Sequence, residues 1–249
     1  LLLAVRGRAG RLPCALSRRA FVDLQVALID DFRSRLAHVA NEARSPWDEP
    51  YPQIMNSMSY MEATLDEWEF DESDEDDGRR EMSKRLAESK EMYRHMWKQM
   101  ANDVVQSLRA QLRGYGEAYA AGEWHTTSIS RDATREMSPS FCAFVLRVRT
   151  ALTMSAERLC KKDVDKVARK MLSATADSIQ EDVLAIAYFN AQGAEQMSFD
   201  VGTALMTVVN AVLERARIGI RAEKERDMLK VLSSLRLLSL STANAMLLK

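Results

Sequence analysis

The sequence predicts an all-α fold, and three observations carry that prediction. Glycine and proline are scarce, 9 and 5 in 249 residues, while the residues that lose least on entering a helix (Ala, Leu, Met, Glu, Lys and Arg) are abundant. Apolar side chains recur every three or four positions in one segment after another. No stretch alternates apolar and polar residues between turn pairs, as a half-buried strand would.

The elements are justified in chain order. Residues 1–20 are set aside as a disordered or artefactual extension. They hold Arg6, Arg8, Arg11, Arg18 and Arg19 and no acid, a transit-peptide composition, but the chain opens on Leu1 rather than Met and upstream coding sequence is the simpler reading. Phe21, Leu24, Leu28, Phe32, Leu36 and Val39 mark the buried stripe of a first helix, with Asp30, Asp31, Arg33 and Arg35 mostly on its wet side. Ser45 to Pro52 reads as a loop, because Pro46, Pro50 and Pro52 have no backbone donor. A second helix carries Ile54, Met58, Met61, Leu65 and Trp68 on one face. Nine of the twelve residues 66–77 are Asp or Glu, so 69–77 is expected to be a solvated, mobile acidic loop.

The third helix is long. Met82, Leu86, Tyr93, Trp97, Met100, Val104, Leu108 and Leu112 line it from Arg79 to Arg113, about 50 Å at 1.5 Å per residue. Gly114, Gly116 and Gly122 are expected to end it, and Trp124 to Met137 reads as polar loop. Ser138-Pro139 is a helix entry, with Ser138 the candidate N-cap. From there helix is nearly continuous. Phe141, Val145, Val148, Leu152 and Leu159 form one stripe, and Val164, Val167, Met171, Ile179, Val183 and Ile186 the next. Asn190 to Gly193 is expected to be a tight turn between antiparallel helices. Met197, Val201, Leu205, Val208 and Val212 open a further stripe. Glu214 to Asp227 is a charged connection, and Leu229, Leu232, Leu235 and Leu238 lead the last helix. Two bundles are therefore expected, 21–137 and 138–249.

Composition excludes several function classes. The net charge of −1 offers no global basic field for nucleic acid. No apolar run reaches the length of about 18 residues that a membrane helix needs. His38, His95 and His125 fall in separate segments, and Cys142 and Cys160 have no neighbouring Cys or His, so no local metal spacing exists. No serine sits in a Gly-x-Ser-x-Gly elbow. No catalytic, cofactor-binding or metal residue is assigned. The basic cluster Lys161, Lys162, Lys166, Arg169 and Lys170 is interrupted by Asp163 and Asp165, the pattern of a solvated face.

Four segments, in order, resemble the C-terminal part of the Rint/Tip family of vesicle-tethering subunits. The first is Phe21 to Leu36, closing on Asp31-Phe32-Arg33-Ser34-Arg35-Leu36. The second is Asn56 to Trp68, with Tyr60, Leu65 and Trp68 at family spacing. The third is Phe189-Asn190-Ala191-Gln192-Gly193-Ala194-Glu195-Gln196-Met197-Ser198-Phe199-Asp200, and the fourth is the leucine-rich Leu237 to Lys249. The chain departs from the pattern at the acidic stretch 69–77, at Gln192 where the family has Gly, and at the charged 214–227 segment. The resemblance implies an elongated helical rod and no enzymatic activity. It implies a peripheral, cytoplasmic subunit at the endoplasmic reticulum membrane, in a Dsl/NRZ-type complex with a Zw-ten-type sister subunit. Such a complex binds ER SNAREs and captures COPI vesicles in Golgi-to-ER retrograde transport. The family-like structural residues are Phe32, Arg33, Arg35, Tyr60, Trp68, Phe189, Asn190, Gly193, Ala194, Gln196, Phe199 and Asp200. The rival readings are a helical scaffold of another pathway, without a membrane-traffic role, and a helical-bundle enzyme with a buried metal or lipid site.

Overall fold

The computed structural model describes residues 15–67, 77–122, 124 and 135–247. Among these residues the chain is all-α, without strands. The helices are α1 (Ala15–Glu42), α2 (Pro50–Asp66), α3 (Asp77–Ala120), α4 (Pro139–Arg158), α5 (Lys161–Ser178), α6 (Ala191–Phe199), α7 (Met206–Arg215) and α8 (Arg226–Leu247). Two π turns, Ile179–Leu184 and Asp200–Leu205, extend α5 and join α6 to α7. The chain divides into two compact units, 1–101 and 102–249, with the division inside α3. The acidic segment expected to be mobile lies largely outside the described residues, as do Trp68 and His125.

In the first unit α1 begins at Ala15, inside the segment set aside from the sequence, and its buried face differs from the expected one. Val26 and Ile29 enter the core with Gln25, whereas Leu24, Leu28, Phe32 and Val39 are exposed. The helix is apolar over a wide arc, and its covered part includes the turn at Ile29, whose carbonyl accepts from the buried Tyr93 hydroxyl of α3 at 2.7 Å. Burial holds that phenol protonated well above its ordinary range, with the Arg33 charge lowering and the Asp30 charge raising it more weakly. Helix α2 starts at Pro50, so only the first part of the expected Ser45–Pro52 loop is loop; a proline at the first helical position forfeits no bond. Tyr51, Ile54, Met55, Met58, Met61 and Leu65 are buried along it.

Helix α3 continues past Arg113 to Ala120, through Gly114 and Gly116, and ends just before Gly122. Gly116 serves packing instead. A Cβ there would lie 3.1 Å from Asp182 Cβ and 3.4 Å from Val183 Cγ2, so its absence lets the first π turn come close.

Helix α4 starts at Pro139 as expected, but the Ser138 side chain makes no cap bond. The stripe expected after Met197 holds through Val201 and Leu205 and then slips by one residue. Val209 and Leu213 are buried where Val208 and Val212 were expected. The cause is the π turn, whose extra residue rotates everything downstream. In α8 the core face is Met228, Val231 and Leu235, and Leu229 is exposed.

The charged connection before α8 is ordered and runs from Ala216 to Glu225. Arg217 adopts a left-handed backbone, φ 55°. Its N–H donates to the Glu214 carbonyl (3.0 Å), and the Ile218 N–H to the Leu213 carbonyl (2.9 Å). This is a Schellman ending with arginine where glycine is usual. Asn210 then ties the connection down. Its Oδ1 accepts from the Ala222 N–H (3.0 Å), and its Nδ2 donates to Glu223 Oε2 (2.7 Å).

Candidate functional site

Asn190–Gly193 does not form the expected tight turn; it is the N-cap and first turn of α6. The break lies earlier, at Ala185–Asn190, and Asn190 is the N-cap of α6. Its side-chain oxygen accepts from the Gly193 N–H at 2.7 Å, and its own N–H donates to the Trp124 carbonyl at 3.1 Å. Gly193 is needed for a close approach rather than for a bend. A Cβ there would stand 2.2 Å from the Trp124 carbonyl oxygen. Ile186, expected to close the preceding stripe, is therefore beyond the helix end and exposed.

At the far end of α6, Asp200 is fully buried and gathers three donors. The Tyr119 hydroxyl gives Oδ2 a bond of 2.7 Å, and the Ser138 backbone N–H and Gln196 Nε2 both reach Oδ1 at 3.0 Å. The Ser138 N–H thus goes to a residue of the second π turn. Gln196 Nε2 also donates to the Glu136 carbonyl at 2.8 Å. Trp124 Nε1 donates to the Tyr119 carbonyl at 2.8 Å. The Tyr119 ring lies edge-on to Trp124 at 4.7 Å and against Phe141 at 4.5 Å, and Phe189 reaches Trp124 at 6.4 Å. Ala194 and Met197 close the inner side, and Phe199 is half-buried. The Tyr119 hydroxyl is held protonated, pushed far above the phenol range by burial first and by the Asp200 charge second.

A second buried aspartate sits in the first π turn. Asp182 accepts from Arg109 and, at 2.8 Å, from the Ser178 hydroxyl, while Arg109 also bridges Glu181 at 2.8 Å. Burial alone would raise the Asp182 carboxyl; the Arg109 and Ser178 bonds outweigh it and hold the group below the usual carboxylate range. Both aspartates are therefore anchored on α3, through Arg109 and Tyr119.

Of the family-like residues, Phe189, Asn190, Gly193, Ala194, Gln196 and Asp200 converge around Trp124 and Tyr119. Phe199 ends α6 beside them, Trp68 lies outside the described residues, and the other four lie in the first unit and do not gather. Phe32 is exposed, and Arg33 reaches back to Asp30 (3.6 Å) and to Met92. Arg35 pairs with Asp31 at the surface (2.8 Å), and Tyr60 is exposed. Sequence reasoning missed Tyr119, Trp124, Arg109 and Asp182. The available signal was three aromatics, Tyr115, Tyr119 and Trp124, bracketing glycines beside a segment read as polar loop.

Chemically, this arrangement positions backbone. Its aspartates are saturated acceptors and its phenol is a fixed donor. It holds the connection Ala185–Phe189 from both ends and presents it outward, with Tyr188 84% exposed. Among the described residues, no helix is long and apolar enough to cross a membrane. A model of the RINT-1/TIP-1 family matches residues 83–249. No solved structure matches the chain.

Proposed function

The chain belongs to the RINT-1/TIP-1 family, a family of membrane-trafficking tethers, and on that premise we propose that it serves as a non-catalytic subunit of a tethering complex at the endoplasmic reticulum. In this reading it joins a Zw-ten-type sister subunit in a Dsl/NRZ-type assembly, peripheral to the membrane on its cytoplasmic side. It binds ER SNAREs and helps to capture COPI vesicles returning from the Golgi.

The observation that carries the proposal is the family match over 83–249, which contains the whole Phe189–Asp200 motif and the aromatic residues that support it. The segment 138–249 is proposed as the functional bundle, with partners docking on an exposed helical surface by i, i+3, i+4, i+7 anchors.

Co-purification of the chain with the purified cytosolic domains of ER SNAREs and with the sister subunit tests this. Recovery of a complex is the expected result. A folded chain that binds none of them at micromolar concentration would return the protein to the rival reading, a helical scaffold of another pathway.

A further inference from the structure

We propose that the end of the second unit formed by residues 157–170 and 214–226 is a docking surface for an anionic lipid bilayer. The inference rests on the tether reading only in that a tether works beside a membrane, and it names the part of this chain that would lie against one.

The two segments meet at one end of the unit. Helix α4 and the stretch Asp200–Arg215 set out together, where the Ser138 N–H donates to Asp200 at 3.0 Å, and α7 packs on α4. Arg158 and Arg215 therefore finish at the same end. There Leu159 and Cys160 lead the chain into α5. Arg169 of α5 then pairs with Glu225 at 3.0 Å, which ties one segment to the other.

The two segments hold eleven Lys or Arg and six Asp or Glu, whereas residues 171–213 between them hold no Lys or Arg. Burial sharpens the contrast. All eleven cations are exposed, but of the six acids only Glu157 and Glu214 are. Asp163, which interrupts the basic cluster in the sequence, is 1% exposed and accepts from the Cys160 thiol at 3.0 Å. Asp165 is half-buried. Glu223 is held by Asn210, and Glu225 by Arg169. The acids that give the sequence the pattern of an ordinary solvated face are thus drawn back from that face.

Three of the cations stand where local folding disfavours them. Lys161 and Lys162 are the first two residues of α5, at the positive end of its dipole. Arg217 takes a left-handed backbone that glycine would adopt without strain. Neither Lys161 nor Arg217 makes an ion pair among the described residues. Local conflicts of this kind mark residues kept for a use other than folding.

The surface reads charge alone. The two segments contain no aromatic residue, and none of their large apolar side chains is exposed. A protein interface centres on apolar and aromatic side chains, and single-stranded nucleic acid stacks on aromatic rings. Anionic headgroups need neither, and about four to eight clustered Lys or Arg suffice to hold them.

The test sediments the 249-residue chain with vesicles of phosphatidylcholine, alone or mixed with phosphatidylserine. Lys161→Glu/Lys162→Glu and Arg217→Gly/Arg221→Gln alter the surface from either segment. Lys84→Glu/Lys98→Glu, at exposed positions of α3 in the first unit, is the control for net charge. Circular dichroism should show unchanged helicity, since every substituted side chain is exposed. The wild type should bind the mixed vesicles but not phosphatidylcholine alone, and should be released as salt is raised. Each surface variant should bind about tenfold or more weakly, and the control as the wild type does. A wild type that ignores the mixed vesicles, surface variants that bind them normally, or a control that loses as much would each overturn the inference. Tighter binding to duplex DNA than to the mixed vesicles would also overturn it. The sister subunit and the SNARE cytosolic domains are titrated against the same proteins and should bind the surface variants normally. A wild type that binds vesicles but none of these partners removes the tether reading and leaves this surface standing.

Discussion

Asp182 and Asp200 occupy matching places, each buried in a π turn and each tied to α3, yet they are neutralised in different ways. Asp182 faces a cation, Arg109, whose other hand holds the exposed Glu181. Asp200 faces only neutral donors: a phenol, a backbone N–H and an amide. An ion pair at the edge of the core can be replaced in part by water and by the neighbouring carboxylate. A buried carboxylate ringed by neutral donors has no such substitute, and each donor becomes an orphan when it is removed. The Asp200 cluster should therefore matter more to stability than the Asp182 pair, although only the latter is a salt bridge.

The largest expected effect tests that ranking directly. Asp200→Ala leaves the Tyr119 hydroxyl, the Ser138 N–H and one Gln196 bond unmet and should cost about 3–5 kcal/mol in urea unfolding. Asp182→Ala leaves Arg109 still held by Glu181 and should cost about 1–2 kcal/mol. Equal losses would break the comparison.

Next comes Gly193→Ala. Its Cβ would collide with the Trp124 carbonyl, so the Asn190–Trp124 bond must open, at about 2–3 kcal/mol. Gly202→Ala is the control. Its Cβ would meet Leu232 Cδ2 at an ordinary 3.6 Å, and it should be neutral or stabilising. A tolerated Gly193→Ala would mean that the Asp200 cluster holds without its support from Trp124.

Asp182 and Tyr119 should also separate under pH. The folded Asp182 carboxyl is depressed, so its contribution is present above the unfolded carboxylate pKa, about 3.9, and is lost as pH falls through the lower folded value. Tyr119 is raised, so its contribution is complete below about pH 10 and declines as pH rises beyond it. Urea midpoints followed across pH should show the acid loss shrinking in Asp182→Asn and the alkaline loss shrinking in Tyr119→Phe, with neither substitution altering the opposite limb.

The smallest effect calibrates the scale. Arg217→Gly relieves a left-handed arginine without removing its Schellman bonds and should stabilise by about 1 kcal/mol. No gain would place compensating contacts on the arginine side chain.

The all-α class, the onset of α4 at Pro139 and the apolar stripes from Phe141 to Val183 were legible in the sequence because they depend only on local period and local breakers. What was not legible depended on partners far along the chain. Gly114 and Gly116 look like stops until Asp182 and Val183 are seen against Gly116. Tyr119 looks like one more aromatic until Asp200, 81 residues on, takes its proton donor. Helix α1 is apolar on two adjacent sides, so periodicity alone could not choose between Leu24 and Val26 as the inward one. In the Phe189–Asp200 motif the residues were singled out, but a turn was inferred where the glycine answers a neighbouring carbonyl.

The π turn at Asp200–Leu205 has a consequence for how this chain can change length. It is, in effect, a one-residue insertion absorbed inside a helix. Losing one residue there, Gly202 for instance, would let the segment rewind as plain α-helix and still keep Val209 and Leu213 facing inward. A gap of a single position in the middle of a helix, usually dismissed as a misplaced alignment, would here mark the loss or gain of the bulge that aims Asp200 at Tyr119.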